Sequence, residues 1–179
     1  MTLFKNALRA LIGLAMFFVL IGLALPKRTH VEREIVIDRP PAEVFAMLDS
    51  YRRFNMWSPW FARDPNAVYT YEGPSRGVGA SMRWVSRQPD VGSGRQTIVE
   101  SVPNKRVVTR LQFEGQKDAR ATFELTPQGQ GTRLVWGFDA EHGINPLSRW
   151  FGLFFDRLIG PDYEQGLAKL KATMERQTR

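Results

Sequence analysis

The sequence predicts an α+β fold: a curved antiparallel sheet of about seven strands wraps around a long C-terminal helix, and one N-terminal transmembrane helix precedes them. Three observations support this prediction. They are an uncharged apolar run near the N-terminus, short alternating segments separated by turn residues, and helical apolar spacing in the tail. We expect residues 1–29 to form an anchor with a basic flank, and residues 30–179 to form the sheet-and-helix domain.

The N-terminal run is the clearest single feature. From Ala10 to Leu25 the chain has sixteen residues without a charged or strongly polar side chain. A membrane-spanning helix needs about 20 residues, and Lys5 and Arg9 can extend their charged ends toward the headgroups. Pro26 then ends the helix. We therefore predict a membrane anchor whose apolar part is Ala10–Leu25.

Two other interpretations of this segment compete with a membrane anchor. A cleaved signal peptide needs small residues before the cleavage site, and the residues from Leu23 to Pro26 match that pattern poorly. A buried core helix that is apolar on all sides needs more covering protein than this domain offers. We expect an uncleaved single-pass anchor, with the domain on the extracytoplasmic side because long domains follow a signal anchor regardless of their charge.

The distribution of charge argues against nucleic-acid binding. The net charge is +7, and four of these positive charges, on Lys5, Arg9, Lys27 and Arg28, flank the apolar run. The remaining chain has 21 basic and 18 acidic residues, which gives an ordinary surface rather than a basic stripe for phosphates. We expect the membrane, and no nucleic acid, as a partner.

The middle of the chain predicts an antiparallel meander. Short runs are interrupted by Gly, Pro and Asn every 8–12 residues or so, which is typical of hairpin-connected strands. After a first strand at 30–38, the predicted strands are Val68–Glu72, Ala80–Arg87, Arg95–Val102, Lys105–Glu114, Ala119–Thr126 and Thr132–Ala140.

The last two strands also predict their own register. Pairing Pro127 with Thr132 places Leu125 opposite Leu134, Phe123 opposite Trp136, and Ala121 opposite Phe138. One face is then apolar and the other mostly polar, as a sheet with one solvated side requires.

Helices are predicted between the first two strands and in the tail. Pro40 and Pro41 introduce a helix up to Leu48, since proline is tolerated in the first helical turn. In the tail, apolar residues recur at helical spacing from Leu147 to Leu158. We expect a second helix to restart at Pro161 or Asp162.

The chain resembles the START-like (SRPBCC) superfamily, and specifically its polyketide cyclase/dehydrase and lipid-transport branch. The resemblance runs from about Val31 to Met174. It rests on the segments Glu34–Phe45, Trp57–Trp60, Tyr71–Pro74, Gly77–Gly79, Glu100–Asn104, Gly131–Trp136 and Gly166–Lys171, and on Trp84. It implies a helix-grip fold with an internal cavity and leaves the cavity's contents open.

Few known catalytic or cofactor motifs are present. The chain has no cysteine and two histidines without partners at metal-ligand spacing, so zinc and iron–sulfur sites are not expected. The closely spaced glycines lie between strands rather than before helices, which favours hairpin turns over cofactor loops. We expect no cofactor and no metal.

Aromatic residues are the strongest candidates for ligand contacts, although each is individually more typical of a core. With Gly166, where a helix can approach closely, the candidates are Phe54, Trp57, Trp60, Trp84, Phe113, Phe123, Trp136, Phe138, Phe151, Phe154 and Phe155. Candidates for polar cavity groups are Glu100, Arg110 and His142, although each is more typical of a solvent-exposed side chain.

Three functions remain open on the sequence. The first is membrane-tethered, non-catalytic binding or transport of a hydrophobic small molecule or lipid, with Trp150–Phe155 as a gate. The second is a cyclase, dehydratase or hydrolase acting in the same cavity, which requires an ionisable group there. The third is a protein-interaction scaffold whose cavity is filled by side chains. We favour the first, because the aromatic residues together suit an apolar pocket.

Overall fold

The computed structural model describes residues 2–64, 66–115 and 117–176. Within these residues the helices are α1 (Thr2–Ala24), α2 (Pro41–Leu48), α3 (Tyr51–Phe54), α4 (Pro59–Arg63), α5 (Pro146–Gly152) and α6 (Phe155–Glu175). The strands are β1 (Arg28–Ile37), β2 (Val68–Glu72), β3 (Ser81–Val85), β4 (Ser93–Val102), β5 (Arg106–Phe113), β6 (Ala119–Gln128) and β7 (Gly131–Glu141).

The seven strands form one antiparallel sheet that confirms the predicted helix-grip fold. The strand order is β1-β7-β6-β5-β4-β3-β2, so β2 to β7 form a meander and the first strand pairs with the last. The register of β4 against β5 shifts between Ile98 and Glu100, and such a bulge increases the local bend of a sheet. The sheet is therefore curved, and its concave face receives α6.

The predicted register of the last hairpin is confirmed. Leu125 pairs with Leu134, Phe123 with Trp136, and Ala121 with Phe138. Both strands extend further than predicted, so that Gln128 pairs with Gly131 across a two-residue turn.

The tail differs from the prediction at its proline. The helix α6 does not restart at Pro161 but runs through it from Phe155. Proline removes one backbone hydrogen bond, yet Phe155 and Ile159 before it and Tyr163 after it all pack against the core. Packing on both sides of the proline keeps the helix continuous.

Hydrogen bonds and ion pairs hold α6 beside β1. Arg33 on β1 donates to Asp156 and Glu164 on α6, with N–O distances of 2.9 and 2.7 Å. At the other end of the strand, Lys171 donates to the backbone oxygen of Val36 at 2.6 Å. These contacts fix the helix over the first strand.

The short helix α5 packs against the C-terminal half of α1. The indole Nε1 of Trp150 donates to the carbonyl of Phe18 at 3.1 Å, and the two rings stack with centroids 4.7 Å apart. Gly22 lies in the contact, where a Cβ would come within 2.7 Å of Pro146. Buried Arg149 donates to the carbonyls of Leu23 and Leu25.

Candidate functional site

A cavity of about 390 Å³ lies between the concave face of the sheet and the helices α4 and α6. Strands β3 to β7 supply its inner wall, because their alternate residues point toward α6. A volume of this size falls in the range of about 300–1,000 Å³ that is typical of small-molecule pockets.

Seven of the twelve proposed ligand-contacting residues line this cavity. They are Phe54, Trp60, Trp84, Phe113, Phe123, Trp136 and Phe138. These residues come from the two short helices α3 and α4 and from four strands, so only the folded chain brings them together.

The structure places the other five proposed residues outside the cavity wall. Trp57 is completely buried, and its ring meets that of Trp136 edge to face at 5.3 Å. Phe155 stacks on Phe138. Phe151 and Phe154 are at least half exposed near α1, because the chain turns between α5 and α6 and directs this part of the apolar stripe outward.

Gly166 sits directly behind one wall of the cavity. A Cβ at this position would approach the ring of Trp136 to 2.9 Å and Pro59 to 3.3 Å. The missing side chain therefore allows α6 to approach the tryptophan that lines the cavity, although the glycine itself does not line it.

A Gly166→Ala substitution is expected to lower stability, although alanine is normally the better helix residue. The added methyl group must push on a buried, stacked indole, and overpacking of this kind costs about 1–3 kcal/mol. Thermal unfolding followed by circular dichroism measures the loss. The exposed neighbour provides the control, since Gln165→Ala meets no such obstacle; equal melting temperatures for the two variants would contradict the close packing.

The three proposed polar groups also lie outside the cavity wall. Glu100 accepts a hydrogen bond of 2.8 Å from Arg106, and Arg110 lies 3.9 Å from Asp118 in an exposed ion pair. The outward position of Arg110 follows from strand alternation, since the neighbouring Thr109 points inward. Plain alternation after the buried Ile98 would instead turn Glu100 inward, but the register shifts between these two residues.

His142 is buried at the junction of β7, β1 and α5. Its Nε2 lies 2.7 Å from the hydroxyl of Thr29, which also bonds the carbonyl of Gly152 at 3.2 Å. Because the hydroxyl must donate to that carbonyl, the histidine Nε2 carries the proton and donates to the hydroxyl. Burial first, then the charges of Arg149 and Lys117, lower the pKa of His142 from its ordinary value of 6.5.

The lowered pKa gives a testable pH dependence. The unfolded chain binds a proton at His142 more readily than the folded chain does. The stability of the folded state that depends on a neutral His142 is therefore lost as the pH falls below about 6.5. His30 acts in the opposite direction, because hydrogen bonds to Asp139 and Glu32 raise its pKa. Melting experiments at pH 7.5 and 5.5 cover roughly one unit on either side of the ordinary histidine pKa. Between these two values, His142→Gln is expected to lose less stability on acidification than the native chain. The same acid-induced loss in both proteins would contradict this assignment.

Sequence reasoning missed four polar residues in the cavity wall. Asn55, Ser58, Gln96 and Thr109 are all buried and line the cavity. Asn55 donates to the Tyr71 hydroxyl at 2.9 Å, while its Oδ1 has no hydrogen-bond partner among the described residues. A neutral polar residue within an alternating strand carries no distinct sequence signal. For Gln96 and Thr109, the one usable signal was the strand alternation that turns them inward.

Among the lining residues, Leu158 on α6 is 63% exposed, and together with Arg63 on α4 and Asp162 on α6 it forms the part of the cavity rim that is here called the mouth. Arg63 donates to both carboxylate oxygens of Asp162, one of them at 3.0 Å. Such a bidentate pair combines charge with a fixed geometry, and here it connects the two helices beside the opening.

Two other observations bear on the kind of site. Among the residues that the structure describes, no group of three or more His, Asp or Glu side chains is arranged to hold a metal ion. By length and composition, α1 is a helix that can cross a membrane. It is largely exposed.

Solved structures of similar fold come from several bacteria. A protein of Mesorhizobium loti is 19% identical, with a TM-score of 0.60 over 84% of this chain and 99% of the other. A protein of Chromobacterium violaceum is 20% identical, with a TM-score of 0.54 over 81% of this chain and 96% of the other. The di-domain ARO/CYC StfQ from the steffimycin biosynthetic pathway is 16% identical, with a TM-score of 0.62; the match covers 84% of this chain and 51% of StfQ, about half its length. At these identities the likeness concerns the fold alone.

A search of curated proteins finds no match. A family model described as polyketide cyclase / dehydrase and lipid transport matches residues 28–175, which is most of the chain and every strand of the sheet. Membership of this family supports the binding of a hydrophobic ligand. The chain belongs to the polyketide cyclase / dehydrase and lipid transport family.

Proposed function

We propose that the protein holds a hydrophobic small molecule or lipid in the cavity while α1 tethers it to a membrane, and that it does so without catalysis. The observation that carries this proposal is the cavity of about 390 Å³ with its largely aromatic and aliphatic wall. A tether keeps the cavity close to a membrane source of ligand and so raises the effective concentration of that ligand.

The inner wall further favours a ligand with a neutral polar group. Asn55 Oδ1 and the indole Nε1 of Trp136 are buried without a hydrogen-bond partner among the described residues. Buried polar atoms of this kind cost free energy unless a ligand or water satisfies them. A hydroxyl group on the ligand suits these two atoms, because it can donate to Asn55 Oδ1 or accept from Trp136 Nε1, whereas a carbonyl group can satisfy only the indole.

The position of charge also favours a neutral ligand over a free acid. The cation of the cavity wall, Arg63, lies at the mouth and already bonds Asp162. The described inner wall near Thr109 and Gln96 offers amide and hydroxyl groups in place of a cation. A carboxylate placed there would be desolvated without a positive partner, which is costly.

The proposal is tested by identifying what the cavity contains. The full chain is purified in mild detergent from native membranes, extracted, and examined by mass spectrometry, and the emptied protein is titrated with a fluorescent sterol and a fluorescent fatty acid. We expect a hydrophobic molecule in stoichiometric amount and uptake of the sterol in preference to the acid. A protein that is empty and takes up neither probe overturns the proposal, and recovery of a chemically altered probe indicates an enzyme.

A pair of variants shows whether the ligand occupies this cavity. Ala121 lines the cavity on β6, and Ala121→Phe places a ring inside it. The neighbouring Arg120 is exposed on the other face, so Arg120→Phe adds the same ring outside. We expect the affinity for the sterol to fall about tenfold in Ala121→Phe, which corresponds to about 1.4 kcal/mol, because the ring takes up space that the ligand needs. It should remain unchanged in Arg120→Phe. Equal uptake by both would place the ligand elsewhere.

A further inference from the structure

An apolar patch surrounds α5 and the beginning of α6. Six large apolar side chains there are between 50% and 85% exposed: Ile144, Leu147, Phe151, Leu153, Phe154 and Leu158. Isolated exposed apolar residues are common on protein surfaces, but a contiguous group of this size marks a contact with another apolar phase or protein.

The patch is continuous with the apolar surface of α1. Because Trp150 and Arg149 fix α5 against α1 between Phe18 and Leu25, the two helices expose their apolar residues side by side. The described part of α1 is exposed along nearly its whole length. Whatever covers that helix therefore extends over α5 as well.

The position of the contact between α5 and α1 corresponds to the depth of the boundary between headgroups and acyl chains in a bilayer that α1 spans. With a rise of about 1.5 Å per residue, Phe18 lies roughly 9 Å along the helix from its end at Ala24. Helices that lie in a membrane interface bury their apolar faces by about 5–10 Å. A bilayer spanned by α1 thus reaches α5 at the depth at which interfacial helices bind.

Basic residues border the patch. Lys27 follows the end of α1, Lys117 lies against Gly143 just before α5, and Arg157 is exposed at the start of α6. Cations around an apolar surface are typical of helices that bind anionic lipid headgroups, and the exposed acids of the same region, Glu141 and Asp156, are paired with Arg28 and Arg33. This border favours a lipid surface over a second protein as the occupant.

We propose that α5 and the first turn of α6 lie in the headgroup–acyl boundary of the same bilayer that α1 spans, as a second membrane contact of the domain. This inference rests on the proposed function, since it requires that α1 crosses a membrane. Leu158 belongs both to the patch and to the mouth of the cavity. The mouth therefore opens beside the lipid, and a ligand can pass between bilayer and cavity without crossing bulk water.

The absence of cysteine makes a site-specific test straightforward. Single cysteines at the exposed positions Leu147 and Phe151 are labelled with an environment-sensitive fluorophore in the otherwise full chain. The protein is reconstituted in vesicles of phosphatidylcholine and phosphatidylglycerol that contain lipids with a nitroxide quencher either near the headgroup or, in a parallel set, near the end of the acyl chain. Labels at Leu14, in the middle of α1, and at Gln130, in the turn at the far end of β7, serve as controls.

We expect labels at Leu147 and Phe151 to be quenched roughly threefold more than the label at Gln130. In the Gly22→Leu variant this quenching should fall, because the new side chain would meet Pro146 and Trp150. In Gly13→Leu it should persist, because the space around Gly13 is open.

The controls distinguish the ways in which the two proposals can fail. If the Leu14 label is quenched by chain-end nitroxides but the Leu147 and Phe151 labels respond like Gln130, the second membrane contact is refuted and the tether stands. Labels that are shielded from water but not quenched indicate a protein partner or a second copy, which also refutes it. A Leu14 label that no lipid quencher reaches refutes both the tether and this inference, whereas the sterol titration in detergent tests the cavity independently.

Discussion

A Trp136→Ala substitution is expected to reduce the free energy of unfolding of the sheet domain by about 4 kcal/mol. Trp136 is buried at the centre of an aromatic cluster and stacks on Tyr163 with ring centroids 3.7 Å apart. Its ring also meets those of Trp57 and Phe123 at 5.3 and 5.1 Å. Removing it enlarges the existing cavity and separates α6 from β7, so the melting temperature should fall by about 10 °C.

Trp84→Ala provides the comparison for this prediction. Trp84 also lines the cavity, but it has one aromatic neighbour, Phe113 at 5.8 Å, and lies near the open side of the sheet. We expect its substitution to cost about half as much. Thermal unfolding of both variants in detergent measures the difference, and a larger loss for Trp84→Ala would show that the stability of the domain is centred elsewhere.

Substitution of Arg149 by methionine is expected to release the domain from α1. The buried guanidinium donates to the carbonyl of Gly143 at 2.7 and 2.9 Å and to the last carbonyls of α1 at Leu23 and Leu25. Hydrogen bonds of a charged donor contribute about 1.5–3 kcal/mol each. A loss of about 2 kcal/mol makes local opening roughly thirtyfold more frequent.

Tryptic cleavage between α1 and β1 measures this opening directly. Lys27 lies in the connection and Arg28 is the first residue of β1. The Lys27 carbonyl accepts a hydrogen bond of 2.8 Å from the backbone of His142. We expect cleavage there to accelerate roughly thirtyfold in Arg149→Met. Arg157→Met removes an exposed arginine from the same region and should leave the rate unchanged; equal rates in the two variants would mean that Arg149 does not fasten the helix.

The sheet was predictable because its signals are local. Alternation of apolar and polar residues and the turns at glycine fix strand identity, and the pairing of Leu125 with Leu134 follows from the need to keep apolar residues on one face. The continuity of α6 through Pro161 was not predictable, because the local effect of proline opposes it. Packing against distant strands overcomes that local preference, and packing is not visible in the sequence of the helix alone.

The candidate site was predictable only in its aromatic part. Large aromatic residues on inward strand positions, such as Phe123, reach the cavity wherever the sheet curves around α6. The destination of Phe151 and Phe154 depends on how α5 docks on α1, which is a contact between the two ends of the chain. Buried Arg149 was missed for the same reason, since an arginine in a short helix normally points to solvent.

The pairing of the first strand with the last has a consequence for the order in which the chain can fold during its synthesis. Ile37 pairs with Thr132 and Arg28 with Glu141, so β1 has no partner until almost the entire chain has been made. Contacts at such separation form late and slow the folding of a domain. Until then the nascent chain holds an unpaired strand, and an unpaired strand edge invites association with other chains. The most vulnerable period for this protein is therefore the interval between the synthesis of β1 and that of its partner β7.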